Sequence, residues 1–283
     1  MPVIPPFVDL PWVRERPDVV FADARSYLDG RSGRATWAAG HVPGAVHVDL
    51  DTVLAAHSSG TPAGHSGPHS GDPTAGRHPL PEPDDFAAAM AALGIAENDV
   101  VVAYDDDGGV IAARLVWMLR VTGHDAALLD GGIAAWDADL ETGETTRAAA
   151  AFSSRPWPTE SLATVDEVAA GGDFTLLDAR APERYRGEFE PVDPRAGHIP
   201  GAVNLPSRDW TDHDGRLLDD DTLAERLDSV PGEIVSSCGS GVTACHTLLV
   251  LEHAGRSGRL FPGSFSAWSN DPARPVATGS EPG

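Results

Sequence analysis

Cys238 is the residue of this chain whose surroundings best suit nucleophilic chemistry. A short apolar run ends just before it at residues 234–235, and residues 244–252 are predicted to form a helix just after it. The N–H groups and positive dipole of a helix N-terminus stabilise negative charge, so this position favours a thiolate. Gly239 and Gly241 would let the loop curl around the sulfur. The alternative is a small buried cysteine that precedes a helix.

An internal repeat surrounds this loop. Four sequence features recur in the same order, which predicts a duplicated domain. The matching pairs are 23–25 and 178–180 (Asp-Ala-Arg), 41–46 and 198–203 (His-Val/Ile-Pro-Gly-Ala-Val), 109–110 and 241–242 (Gly-Val), and Trp136 and Trp268. Strands alternate with helices in each copy, which predicts an α/β fold with a mainly parallel sheet flanked by helices. Cys238 would then lie at the carboxyl end of a strand, where such sheets bind ligands.

The repeat predicts the domain boundaries. We expect an N-terminal domain at residues 1–142, a linker at 143–159 and a C-terminal domain at 160–283. Counting back from Gly109-Val110 places Asp106 where the second copy has Cys238. An aspartate cannot supply a nucleophilic sulfur, so only the C-terminal domain is predicted to be catalytic.

The first copy contains an additional segment at about residues 57–77, rich in Gly, Pro, Ser and His. Few of its residues could anchor a core, so we interpret it as a surface loop. Its three histidines, His57, His65 and His69, match no standard set of metal ligands, and no metal site is predicted.

Composition excludes several functions. The net charge of −23 argues against a nucleic-acid partner, because phosphate backbones require basic patches. The chain contains no lysine, which excludes Schiff-base chemistry on that side chain. With only two cysteines, no disulfide framework is expected, and Cys245 is predicted to be buried packing. The absence of a signal peptide or an apolar run of about 20 residues predicts a cytoplasmic protein without membrane contact.

Residues 238–244, Cys-Gly-Ser-Gly-Val-Thr-Ala, resemble the active-site loop of the rhodanese-like sulfurtransferases. More narrowly, they resemble the loop of 3-mercaptopyruvate sulfurtransferases. The resemblance implies two tandem rhodanese-like domains with the site in the cleft between them, and no cofactor. It also implies that Cys238 attacks a small-molecule sulfur donor and becomes a persulfide. A small thiol, a thioredoxin-like protein or cyanide then takes the outer sulfur. The loop residues implied to hold the donor and the persulfide are Gly239, Gly241, Val242 and Thr243.

The charge of the loop indicates the donor. Related thiosulfate enzymes carry basic residues directly after the cysteine, whereas Gly239 and Ser240 are neutral. This favours 3-mercaptopyruvate, whose carboxylate needs a cation elsewhere. The resemblance places a carboxylate-binding arginine at Arg184, and arginine binds carboxylates in a bidentate manner. Arg195 is the candidate for a second arginine, with Arg186 as its rival, and all three could instead be solvated surface residues.

Ser240 is the hydroxyl residue nearest in sequence to Cys238, and it could relay a proton. The resemblance pairs it with Asp51 and His78. The alternative is that Asp51 caps a helix and His78 is a solvated loop residue. His41 and His198 recur in both copies and are predicted to be structural, as are Asp23 and Asp178, which we expect to bind backbone.

Other interpretations remain open. A cysteine phosphatase is disfavoured, because it needs an arginine six residues after the cysteine, where this chain has Ala244. Thiosulfate sulfurtransferase is the alternative enzyme, since donor preference depends on two loop residues. A non-enzymatic sulfur carrier or regulatory binding module would have the same loop.

Overall fold

The computed structural model describes residues 3–56 and 75–283. They form two compact units. Within these ranges, the N-terminal unit comprises 3–54, 81–158 and 211–217, and the C-terminal unit comprises 55–56, 75–80, 159–210 and 218–283. Among the described residues, no helix combines the length and apolar character that a membrane crossing requires.

The N-terminal unit is built on a parallel sheet. Its strands are β1 (Phe7–Val8), β2 (Val20–Asp23), β3 (Val46–His47), β4 (Val101–Tyr104) and β5 (Ala126–Leu129). Its helices are α1 (Leu10–Arg14), α2 (Gly33–Ala39), α3 (Leu50–Val53), α4 (Pro83–Ala92) and α5 (Ala113–Val121). The strand order is β1-β5-β4-β2-β3, with every pairing parallel. Strands β4 and β5 are buried throughout, which explains their continuous apolar sequences.

The C-terminal unit repeats this plan. Its strands are β6 (Phe174–Asp178), β7 (Val203–Asn204), β8 (Glu233–Ser237) and β9 (Gly258–Leu260). Its helices are α6 (Val165–Ala170), α7 (Pro182–Tyr185), α8 (Asp220–Asp228), α9 (Ala244–His253) and α10 (Ser264–Asn270). The strands are parallel in the order β7-β6-β8-β9, and α9 packs against β8 and β9. The predicted α/β fold with parallel sheets and flanking helices is confirmed.

The Asp-Ala-Arg repeat joins a strand to a turn in both units. In the C-terminal unit, Arg180 donates to both carboxylate oxygens of Asp178, at 2.6–3.1 Å, and to the carbonyl oxygen of Gly197, at 2.7 Å. Arg25 donates in the same way to Asp23 and to the carbonyl oxygen of Gly40. Each aspartate also accepts the backbone N–H of its arginine, so the predicted backbone contact is one part of a buried ion pair.

The repeated histidines have structural positions. His41 and His198 are fully buried, and their Nδ1 atoms lie 2.9 and 2.8 Å from the carbonyl oxygens of Trp37 and Tyr185. Each ring also stacks on that same aromatic residue. Their burial in both copies agrees with the structural role predicted for them.

The structure groups three segments differently from the predicted boundaries, and one of them is Thr211–Leu217, which belongs to the N-terminal unit. Residues 75–80, which precede Pro81, belong to the C-terminal unit, where the N–H of Arg77 donates to Ser266 Oγ at 2.9 Å. The predicted linker, 143–159, packs on the N-terminal unit up to Pro158, and the N–H of Ala150 donates to the carbonyl oxygen of Ala91 at 2.9 Å. Contacts between residues far apart in sequence therefore decide these groupings.

Candidate active site

Cys238 follows the last residue of β8 and begins the turn into α9. Its side chain is buried, and the N–H of Gly241 donates to its Sγ atom at 3.1 Å. Gly241 has a φ of +76°, and a Cβ atom there would lie 2.6 Å from the carbonyl oxygen of Pro262. Only glycine fits this position, so the curled loop that aims an N–H group at the sulfur depends on it.

The first turn of α10 holds the Cys238 loop. Ser264 Oγ accepts the N–H of Cys238 at 3.0 Å and donates to the carbonyl oxygen of Phe261 at 2.9 Å. The N–H of Phe265 donates to the carbonyl oxygen of Cys238, and the N–H of Ser266 to that of Gly239. The loop is thus fixed through its backbone, which leaves its side chains free for chemistry.

Ser240 and His78 form a buried pair within the C-terminal unit. Ser240 Oγ lies 2.8 Å from His78 Nδ1, a hydrogen-bonding distance at which a proton can pass between the two groups. The structure thus brings together two of the three residues predicted as a relay. Asp51, the third, lies in the first turn of α3 in the N-terminal unit, and the helix cap is Asp49 rather than Asp51.

Two arginines lie beside Gly239, the residue after the cysteine. A Cβ atom placed on Gly239 would lie 3.1 Å from Nη2 of Arg77 and 3.4 Å from Nη1 of Arg184. Neither nitrogen has a hydrogen-bond partner within residues 3–56 and 75–283. Arg184 therefore occupies a position suited to an anionic donor, and Arg77 joins it there.

Two acidic residues hold the other edges of these arginines. Asp193 accepts from Arg77 Nη1 at 2.7 Å and from Arg184 Nη2 at 3.2 Å. Glu190 accepts from Nε and Nη2 of Arg184, at 3.2 and 2.7 Å. Burial raises the pKa of the Asp193 carboxyl, and Arg77 only partly offsets this effect. Burial also acts to raise the pKa of Glu190, but hydrogen bonds led by that from Arg184 hold it below its usual value.

Arg195, the predicted second arginine of the donor site, has a different environment. Its Nε, Nη1 and Nη2 atoms donate to four backbone carbonyl oxygens at 2.6–3.0 Å. The acceptors are Trp268, Ser269, Asp271 and Arg274. Arg195 thus ties down the chain that leaves α10, and this corrects its expected availability to a donor.

The remaining predicted loop residues contribute backbone and packing. Val242 is buried, and its carbonyl oxygen accepts the N–H of Cys245, while Thr243 is the N-cap residue of α9. Cys245 is buried within α9, and its thiol donates to the carbonyl oxygen of Gly241 at 3.3 Å. Arg186, the rival donor-binding residue, pairs with the exposed Glu188.

In the described part of the chain, one cluster of side chains could hold a metal ion. Asp212, His213 and Asp214 are close enough to share an ion, but all three are exposed. His57, His65 and His69 lie outside the described residues.

The counterpart of Cys238 in the N-terminal unit is Asp105, not Asp106 as predicted. Tyr104 pairs with Asp23 as Ser237 pairs with Asp178, so the residues that follow, Asp105 and Cys238, are equivalent. The N-terminal loop has one more residue before its Gly-Val pair than the C-terminal loop has. Counting back from that pair therefore reaches Asp106 instead of Asp105. Exposed Asp106 instead accepts the hydroxyl of Tyr27 at 2.7 Å.

Comparison with known proteins identifies the family of this chain. The family model described as "Rhodanese-like domain" matches residues 12–139 and 161–271. The chain belongs to the rhodanese-like family. Its two matched segments contain the two parallel sheets, and the second rhodanese-like domain contains Cys238.

Similar proteins carry two donor names. A protein of Pseudomonas aeruginosa named "Probable 3-mercaptopyruvate sulfurtransferase" is 40% identical over 277 residues, which cover 93% of each chain. A Mycobacterium tuberculosis protein named "Putative thiosulfate sulfurtransferase SseB" is 38% identical, over 93% of this chain and 92% of its own. The structure of 3-mercaptopyruvate sulfurtransferase SseA from Escherichia coli superposes with a TM-score of 0.76 at 30% identity, covering 92% of this chain and 99% of that one.

Sequence reasoning missed Arg77 and Asp193. The composition of the inserted segment places Arg77 at its end, directly before His78, whereas in the structure Arg77 binds Asp193, 116 residues further along the chain. Its position beside a predicted relay histidine was the one available signal.

Proposed function

We propose that this protein is a sulfurtransferase that moves sulfur from 3-mercaptopyruvate to a thiol or cyanide through a persulfide on Cys238. The observation that carries the proposal is the buried Sγ atom of Cys238, which accepts the N–H of Gly241 at the N-terminus of α9. Backbone N–H groups there stabilise negative charge on sulfur without needing a cofactor. The names of the Pseudomonas and Escherichia relatives support the donor.

In the first step, the Cys238 thiolate attacks the sulfur atom of 3-mercaptopyruvate. An S–S bond forms while the donor's C–S bond breaks, and the electron pair of that bond passes to carbon as the enolate of pyruvate. Protonation of this carbon gives pyruvate. We assign the proton relay to Ser240 and His78, which lie 2.8 Å apart, and Asp51 stays a predicted third member.

In the second step, a thiolate or cyanide acceptor attacks the outer sulfur of the persulfide. The S–S bond breaks, its electron pair returns to Cys238, and the acceptor leaves as a persulfide or as thiocyanate. The thiolate leaving group gains from the same Gly241 N–H group that holds the resting sulfur. A small thiol, a thioredoxin-like protein and cyanide all have the required nucleophile.

The donor carboxylate is assigned to Arg184 and Arg77. Their nitrogens nearest Gly239 are unpaired among the described residues, and guanidinium groups bind carboxylates through two parallel hydrogen bonds. This places the carboxylate one residue from the attacking sulfur, which suits a donor whose carboxylate and sulfur are separated by only two carbon atoms.

Thiosulfate is the second candidate donor, favoured by the name of the Mycobacterium relative. The deciding experiment compares kcat/KM for 3-mercaptopyruvate and thiosulfate, with cyanide as the common acceptor. We expect 3-mercaptopyruvate to be preferred by at least about tenfold, a difference of about 1.4 kcal/mol. A preference for thiosulfate of that size would establish the second candidate instead.

A sulfur carrier is distinguished by turnover. Donor treatment without an acceptor should add one sulfur atom to Cys238 in an intact-mass measurement. With acceptor present, an enzyme gives many product molecules per protein, whereas a carrier gives one.

A further inference from the structure

Asp193 is a buried carboxylate located between the two arginines of the donor site. Only 2% of its side chain is exposed, and its two oxygens bind different guanidinium groups. Oδ1 accepts from Arg77 Nη1 at 2.7 Å and Oδ2 from Arg184 Nη2 at 3.2 Å. Asp193 therefore orients both arginines while also cancelling part of their charge.

The surrounding ion pairs form an alternating chain of three arginines and three carboxylates. Its members in order are Arg77, Asp193, Arg184, Glu190, Arg180 and Asp178. The chain is balanced as a whole, so the arginines next to Gly239 supply directed N–H groups with little excess positive charge.

We propose that Asp193 is a specificity-determining residue, whose charge makes this site favour a donor with one negative charge over a donor with two. This inference rests on the proposed function, because it concerns the donor site of the same reaction. The monocarboxylate 3-mercaptopyruvate and the dianion thiosulfate are the two donors that it separates.

The physical reason is that Coulomb energy scales with the charge of the ligand. Asp193 repels a dianion about twice as strongly as it repels a monoanion at the same place, and its burial limits screening by water and salt. The hydrogen bonds that Arg77 and Arg184 offer are equally open to both donors. Removal of the charge of Asp193 should therefore help thiosulfate more than 3-mercaptopyruvate.

The principal test is Asp193→Asn, which keeps the size of the side chain and one acceptor oxygen. We expect the ratio of kcat/KM for thiosulfate to kcat/KM for 3-mercaptopyruvate to rise about tenfold or more. Sulfate and pyruvate serve as dianionic and monoanionic probes that transfer no sulfur. The ratio of the competitive inhibition constant of pyruvate to that of sulfate should rise by a similar factor. Glu188→Gln is the matched control, because it removes one negative charge from an exposed residue that pairs with Arg186, and should leave the ratio within about twofold.

A double-mutant cycle with Arg77→Gln separates charge from geometry. Arg77→Gln removes one positive charge and should lower the ratio below that of the parent protein. In Asp193→Asn combined with Arg77→Gln the net charge returns to the parent value, and the ratio should return toward it. Thermal unfolding of each variant establishes that it is folded at the assay temperature. If Asp193→Asn unfolds, Arg77→Gln and the double variant still test the dependence on charge. The double variant removes the charges of both Asp193 and Arg77, so it leaves neither of them buried without its partner.

The outcomes are distinct. If Asp193→Asn changes both donors by the same factor, or if the double variant keeps the ratio of Asp193→Asn, the charge of Asp193 does not set specificity and the inference is wrong. If the parent protein fails to turn over 3-mercaptopyruvate at all, the proposed function is wrong, whatever the ratio of the pyruvate and sulfate inhibition constants shows.

Discussion

The two rhodanese-like domains place different groups in the same loop between a strand and a helix. In the N-terminal domain, Asp105 is fully buried and its carboxylate accepts the backbone N–H groups of four residues at 2.7–2.9 Å. Those residues are Asp107, Gly109, Ile111 and Ala112. In the C-terminal domain, the equivalent Cys238 accepts the N–H of Gly241. The fold thus provides an anion-binding loop twice, and one copy is occupied by the chain's own carboxylate.

This comparison teaches that the loop by itself does not make a catalytic site. The N-terminal loop binds a negative charge with more hydrogen bonds, yet it has no nucleophile. It also differs at a second position: the fourth residue after the arginine of Asp-Ala-Arg is Asp29 in the first copy and Arg184 in the second. Catalysis requires the sulfur and the neighbouring cations together.

The largest expected effect is loss of the nucleophile. Cys238→Ser should lower sulfur transfer by at least about a thousandfold, because the hydroxyl group is a far weaker nucleophile toward sulfur. Cys245→Ser is the control, since that buried thiol donates to the carbonyl oxygen of Gly241 and a hydroxyl can do the same. Activity assays and intact-mass analysis after donor treatment measure both, and an added sulfur on Cys245 would contradict the assignment.

The next effect is on stability in the N-terminal domain. Asp105→Ala leaves four backbone N–H groups without their acceptor, which should cost at least about 3 kcal/mol in the free energy of unfolding. Asp106→Ala, which loses an exposed bond from the hydroxyl of Tyr27, should cost less than about 1 kcal/mol. Urea unfolding followed by circular dichroism compares the two, and equal costs would mean that the Asp105 loop does not need its internal anion.

Asp105→Cys tests whether a nucleophile alone can restore the first loop. We expect no persulfide on the introduced thiol, because the first copy has Asp29 where the second copy has the donor-binding Arg184. Donor treatment of Asp105→Cys combined with Cys238→Ser, followed by intact-mass measurement, isolates this thiol. One added sulfur atom in that variant would show that the N-terminal loop needs only the cysteine.

The second difference between the domains is Arg184, a cation that the N-terminal domain lacks at the equivalent position. Arg184→Ala should lower kcat/KM for 3-mercaptopyruvate about ten- to hundredfold, the cost of one charge-assisted bidentate pair. Arg186→Ala is the control, as it removes an arginine two residues away that pairs with exposed Glu188. Steady-state kinetics with both variants distinguish them, and equal kinetics for Arg184→Ala and the parent protein would place the carboxylate site elsewhere.

The duplication, the α/β fold and the Cys238 loop could be predicted because they depend on residues close in sequence. Helix α9 was predicted within one residue of its observed bounds, since an apolar run follows the glycine-rich loop without interruption. The count that selected Asp106 failed because it crossed a single-residue insertion that leaves no mark in the sequence pattern.

The donor site could be predicted only in part, because its contacts join distant segments. Arg77 and Asp193 meet across 116 residues, and the carbonyl oxygens that bind Arg195 lie 73 to 79 residues beyond it. No spacing rule reports which arginine keeps free N–H groups after folding. The resemblance to a family gave the type of residue, and the packing of the C-terminal unit decides which arginines are available.

The smallest expected effect concerns Ser264 and Gly132, which occupy equivalent positions after the last strand of each domain. Gly132 has a φ of +57° and Ser264 a φ of +50°, and Ser264 is the one non-glycine residue with positive φ in the described chain. A side chain in this left-handed conformation costs about 1 kcal/mol or more. At Ser264 the hydroxyl offsets that cost by accepting the N–H of Cys238, which orients the peptide that carries the nucleophile.

Ser264→Gly removes both the strain and this hydrogen bond, so the free energy of unfolding should change by less than about 1.5 kcal/mol. Sulfur transfer should nevertheless fall about three- to tenfold in kcat, with KM for the donor little changed, because the Cys238 peptide loses its orientation. Gly132→Ala should do the reverse: its Cβ atom would overlap the carbonyl oxygen of Asp105, so stability should fall by about 1–3 kcal/mol while kcat of the folded protein is kept. Unfolding curves and steady-state kinetics on both variants test whether Ser264→Gly lowers mainly kcat and Gly132→Ala lowers mainly stability. If Ser264→Gly keeps full kcat, the serine has only a structural role, and the two domains differ in chemistry through Cys238 and its arginines alone.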